Sequence, residues 1–259
     1  MHTLKLFDSH LHIIDPRFPL IANHGYLPPT FTSHDYLHSM QAYNLQGGAI
    51  VSGSFQGFDQ TYLLDALQTL GTGFVGVTQL PANVSDAELL HLHQAGVRAI
   101  RFNLKRGGSE EVTQLDYFAR RVHELVGWHA ELYVDSGELD TLYPTLVALP
   151  AVSIDHLGLT KAGFKTLLKL VESGVHVKAT GFGRVDFDAL TTMQAIMAIN
   201  PDALMFGTDL PSTRAPRPYS QADYQLILDN FDTEAVRKIF HDNAYRFYLC
   251  ANTSLPTAL

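Results

Sequence analysis

The stretch VSIDHLGLTKAGFKTLLKLVESGVHVKAT, residues 152–180, decides the fold. It opens on a short β-branched run, Val152 to His156, and passes through a segment of helical period over residues 163–173. After Gly174, where a helix should stop, it resumes as a second β-branched run from Val175 to Thr180. That order of periods reads as a βαβ unit. Working outward, the same alternation fills the chain. Strand-like runs fall at Leu4 to Asp8, Gly48 to Ser52, Phe74 to Gln79, Val97 to Phe102, Ala130 to Asp135 and Leu204 to Asp209. Helical segments fall around residues 34–44, 59–70, 85–95, 112–127, 138–149, 187–199 and 220–249. Ser85 and Glu88 stand at capping-box spacing, and Gly96 and Gly127 occupy helix-stop positions. Eight βα units in 259 residues predict an α/β protein, a single-domain (β/α)8 TIM barrel spanning 1–259.

Composition narrows the function. Hydrophobic residues make up 46% and charged residues 17%, which excludes disordered and coiled-coil architectures. Lys plus Arg is 18 against 26 for Asp plus Glu, a net charge of −8 with no basic run, so no nucleic-acid partner is expected. One cysteine, Cys250, cannot form an internal disulfide, and its apolar neighbours predict a packed thiol. No apolar stretch reaches the roughly 18 residues of a membrane span, and no signal-peptide pattern opens the chain. A soluble cytoplasmic protein acting on a small molecule is the expectation.

In a barrel of this kind the chemistry stands at the C-terminal ends of the strands. Those positions carry Asp8, His10 and His12, then Ser54, Arg101, Asn103 and Arg106, then Tyr133, Asp135, Asp155 and His156. Lys178, Arg184, Asp209, Arg214 and Arg217 complete the series. Five of the eleven arginines gather there, an arrangement suited to a carboxylate or phosphate. His10 and His12 are two apart in an extended segment, so their rings point the same way. With His156 and Asp209 they form a set able to bind zinc or, without metal, to polarise a carbonyl and activate water. His91 and His93 repeat the spacing within a helical segment, where residues two apart diverge. His34 and His38 have helical ligand spacing, but the glutamate of a zincin motif is absent. No glycine fingerprint for a nucleotide occurs.

The segments FDSHLH (7–12) and GTDLP (207–211) resemble the amidohydrolase superfamily. With NHGY, SGSFQGFDQTYLLDAL, VRAIRFNLKR, ELYVD, IDHLG and VKATGFGR they resemble its branch of pyrone-dicarboxylate and sugar-lactone enzymes. The resemblance implies a hydrolase opening a carboxylated lactone, with Asp209 as water-activating base and His10, His12 and His156 around the scissile carbonyl. It implies that Tyr26, Ser54, Arg101, Arg106, Tyr133 and Arg184 bind the substrate's carboxylates. Two departures stand out. Leu159 replaces an arginine of that branch, and the strand-eight loop carries its own Arg214 and Arg217, which are expected to hold charge placed elsewhere on the substrate. A lactone isomerase and a mononuclear metal-dependent amidohydrolase or decarboxylase are the alternatives. Arg101 and Tyr133 stand where metal-dependent members of the superfamily usually carry ligands. Metal-free chemistry is therefore expected; a single zinc or manganese ion, if bound, would take His10, His12, His156 and Asp209.

Overall fold

The computed structural model describes residues 4–250. Eight parallel strands pair in sequence order: β1 (Lys5–Leu11), β2 (Asn44–Val51), β3 (Phe74–Thr78), β4 (Val97–Asn103), β5 (His129–Tyr133), β6 (Val152–Ile154), β7 (His176–Ala179) and β8 (Leu204–Phe206). A helix follows each: α1 (Ser33–Met40), α2 (Thr61–Leu70), α3 (Asp86–Gln94), α4 (Leu115–Val126), α5 (Leu139–Ala148), α6 (Phe164–Glu172), α7 (Ala189–Ile199) and α8 (Gln221–Asn230). This is the expected (β/α)8 barrel. The seam between β1 and β8 is joined by residues beyond β8, where the Asp209 amide donates to His10 O at 2.7 Å and the His12 amide to Leu210 O at 2.8 Å. A Cβ added at Gly207 would stand 2.7 Å from His10 N, so only glycine allows this approach. The seam thus sets His10 and Asp209 side by side.

Helix faces explain the outer shell. In α4 the buried residues Leu115, Phe118, Ala119, Val122 and Val126 recur at helical spacing, forming one apolar stripe against the strands. Burying each large apolar side chain contributes about 1.5–3 kcal/mol. The Ser85 hydroxyl accepts from the Glu88 amide and starts α3, while Gly127 takes the left-handed conformation that ends α4. At the bottom of the barrel Phe7, Val51, Val77 and Met205 pack with Tyr248 from the C-terminal segment.

Three expectations are corrected. Helix α1 ends at Met40 and β2 begins at Asn44, so the strand, not the helix, claims the residues before Gly48. The helix expected over 220–249 breaks after Asn230, because Phe231 is extended and the Asp232 side chain caps a new helix, α9 (Thr233–Arg237). Two π-type turns then carry the chain to Cys250. Cys250 is exposed instead of packed, because the apolar neighbours Tyr248 and Phe247 turn inward in its place. Among the described residues no helix is long and apolar enough to cross a membrane.

Candidate active site

A cleft at the C-terminal end of the strands is lined by His12, Tyr26, Ser54, Arg101, Arg106, Tyr133, His156, Arg184 and Arg214. His10 and Asp209 lie wholly buried beneath it. Eleven of the twelve residues expected to act in catalysis or substrate binding therefore converge. Arg217 does not: it turns away to pair with Asp223 at 2.6 Å, and its side chain is about half exposed. Gly53, Phe55, Asn103 and Thr213 complete the wall.

Chain reversals just past the strands aim the central groups. His156 and Asp209 both adopt positive φ, 52° and 60°, a conformation costly for non-glycine residues and held here by the surrounding packing. Asp209 Oδ2 accepts from Arg184 Nε at 2.7 Å, and Arg184 Nη2 donates to Thr213 O at 2.8 Å. Asp209 Oδ1 lies 3.6 Å from His12 Nε2 and 3.9 Å from His10 Nε2. Both Asp209 Oδ1 and His10 Nε2 are buried without a hydrogen-bond partner. Burial opposes ionisation of Asp209, yet the adjacent Arg184 charge holds its carboxyl far below the usual range. The charged form of the carboxyl is favoured, and one of its oxygens is bare.

His12 Nδ1 lies 2.7 Å from the carbonyl oxygen of Val51, to which it donates. In an uncharged ring that leaves Nε2 as an acceptor facing Asp209. Burial pushes His10 down to about 3 and His156 well below its ordinary value, so both rings are neutral at physiological pH. His10, His12 and Asp209 bring three ligand atoms within 4.8 Å of one another; His10, Asp155 and His156 form a second such group. His156 and His12 thus do not share one compact ligand set.

Arg101 grips Asp155 Oδ2 through Nε at 3.2 Å and Nη2 at 2.8 Å. Its charge is matched by that carboxylate, so it does not by itself bar a cation from the His10, His12 and Asp209 donors. Below Asp155, the fully buried Lys178 pairs with Glu131, whose other oxygen accepts from Tyr248 Oη and approaches His129 Nε2 at 2.9 Å. At the rim, Arg214 Nη1 donates to Asn23 Oδ1 at 2.9 Å and its guanidinium lies 4.3 Å over the Tyr26 ring. Asn23 Nδ2 in turn donates to Arg106 O at 3.1 Å, so the loops after β1, β4 and β8 are tied together. Glu131 escaped the sequence reading; its signal is a lone charge two residues before Tyr133, on the same strand face.

The amidohydrolase family profile matches residues 7–249. A 2-pyrone-4,6-dicarboxylate hydrolase of Comamonas testosteroni is 26% identical over 93% of this chain and 89% of its own length. A 4-sulfomuconolactone hydrolase of Hydrogenophaga intermedia is also 26% identical, covering 93% and 88%. A Pseudomonas putida protein of known structure superposes with a TM-score of 0.77 at 26% identity, covering 96% of this chain and 98% of that one.

Proposed function

This chain belongs to the amidohydrolase family, and from that premise we propose that it is a hydrolase opening the ring of a small carboxylated lactone. One observation carries the proposal: Asp209, with its Oδ1 bare, lies directly beneath a cleft walled by four arginines. Relatives that match over nine-tenths of the chain are named for hydrolysing a 2-pyrone-4,6-dicarboxylate and a 4-sulfomuconolactone.

In this reading Arg106 and Arg214, with Tyr26 and Ser54, hold the substrate's anionic groups at the rim. Asp209 Oδ1 accepts a proton from water, whose oxygen attacks the lactone carbonyl carbon. Arg184 and His156, which share that wall of the cleft, meet the charge that develops on the carbonyl oxygen, helped by Arg101 and Tyr133. The ring C–O bond then breaks and the departing oxygen takes the proton back from Asp209, giving a hydroxy acid. His10 and His12 flank Asp209, and one of their Nε2 atoms orients the water by accepting its second hydrogen.

These steps are written with the chain's own groups. The donors His10 Nε2, His12 Nε2 and Asp209 Oδ1 nevertheless fit one zinc or manganese ion, since two of them are buried and unpartnered. Such an ion, when bound, supplies Lewis-acid polarisation of the carbonyl. The proposal is tested by incubating a panel of carboxylated lactones with the protein and following ring opening. Turnover of anionic lactones but not of their uncharged esters supports it, and no turnover of any overturns it.

A further inference from the structure

We propose that Asp155 is a positioning residue that fixes the tautomer of His10, placing the proton on Nδ1 and turning the bare Nε2 toward Asp209. The inference deepens the proposed function, because it states how His10 meets the reacting centre.

The argument starts from Arg101. Its Nε and Nη2 both converge on Asp155 Oδ2, so the carboxylate cannot rotate and its Oδ1 is aimed across the barrel. That oxygen is buried without a hydrogen-bond partner, and its nearest polar neighbours are His10 Nδ1 at 3.3 Å and Lys178 Nζ at 3.5 Å. Asp155, His10 and Lys178 are all fully buried, so bulk solvent does not reach these atoms. An ionised carboxylate only accepts, and the ring atom facing it must therefore donate. The opposite tautomer would set the Nδ1 lone pair against an anionic oxygen. It would also carry the Nε2 proton 3.9 Å from Asp209 Oδ1, beyond hydrogen-bond reach.

Lys178 is the one competing donor, with Nζ 3.5 Å from His10 Nδ1. Its ammonium group is engaged by the buried Glu131, with Asp155 Oδ1 as its second anion. Glu131 is itself held by Tyr248 and His129, so the lysine is anchored away from the imidazole. The chain of contacts Tyr248, Glu131, Lys178, Asp155, His10 thus runs from the C-terminal segment to the floor of the cleft. Lys178 supplies charge balance and Asp155 supplies the acceptor. The His10 Nε2 lone pair is the result.

The isosteric variant Asp155→Asn tests this. Arg101 requires an acceptor where Oδ2 stands, so the amide oxygen takes that place and the NH2 group faces His10 Nδ1. The ring must then accept at Nδ1 and move its proton to Nε2. Nitrogen-15 histidine spectra of the ligand-free protein at neutral pH read this directly, with His10 assigned by the signal lost in His10→Gln. The wild type is expected to show the Nδ1–H pattern and Asp155→Asn the Nε2–H pattern. An Nε2–H pattern in the wild type overturns the inference whether or not the variant folds, and so does an unchanged Nδ1–H pattern in a folded Asp155→Asn. Because no lactone enters the measurement, failure of the lactonase reading would leave this result standing.

Discussion

Asp209→Asn separates the chemistry of the floor from its packing. Asparagine keeps one oxygen acceptor, which Arg184 claims because its Nε now donates to Oδ2 at 2.7 Å. The amide NH2 then falls at the Oδ1 position, 3.6 Å from His12 Nε2 and 3.9 Å from His10 Nε2. Both are acceptors there, so the change fills the site with compatible groups. Stability should fall by only about 1–3 kcal/mol, because Arg184 loses its counter-charge but keeps Thr213 O and the amide oxygen. Catalysis should suffer far more. An amide cannot take the water proton, and loss of a general base costs about 10²–10⁴-fold in rate, or about 3–5 kcal/mol of barrier. Each ring opened releases a proton, so kcat can be followed with a pH indicator on a substrate of the wild type, alongside a thermal melt. A folded Asp209→Asn within tenfold of wild-type kcat would refute the assigned role.

Other perturbations give distinct outcomes. Arg214→Met should raise KM about 10–100-fold by removing a charge-assisted contact at the rim, whereas Arg217→Gln, whose partner Asp223 lies outside the cleft, should change KM less than about twofold. Burial pushes His176 down to about 4 from an ordinary 6.5, so the unfolded chain binds the extra proton between those values. Stability from this group is present above pH 6.5 and is lost as pH falls toward 4, by at most about 3 kcal/mol. Melting curves of His176→Gln should accordingly show a shallower acid slope than the wild type, and an identical slope would contradict the assignment. Exhaustive chelation should leave lactone turnover intact if the chain's groups act alone. Activity lost on chelation and restored by one equivalent of zinc or manganese would assign His10, His12 and Asp209 to an ion.

Much of this architecture is written in local chemistry. The strand and helix periods, the Ser85 cap and the stops at Gly96 and Gly127 are properties of neighbouring residues, and each appears in the fold. The positions after each strand needed only barrel topology to be gathered, which is why eleven site residues meet. What escaped depends on pairing across the barrel. Arg101 with Asp155 and Lys178 with Glu131 are joined over 54 and 47 residues of sequence, and nothing local announces them. Arg214 and Arg217 share one loop and one residue type, yet Asn23 and Tyr26 draw the first over the cleft while Asp223 draws the second away. The break after Asn230 turns on Asp232 capping a new helix, a choice between two helical outcomes of nearly equal local propensity.

The most direct test of the central claim is turnover of carboxylated lactones in water labelled with oxygen-18. Hydrolysis by Asp209-activated water predicts a ring-opened hydroxy acid with one labelled oxygen in its new carboxylate. An unlabelled product, as isomerisation between ring sizes would give, or no reaction with any anionic lactone, would contradict it.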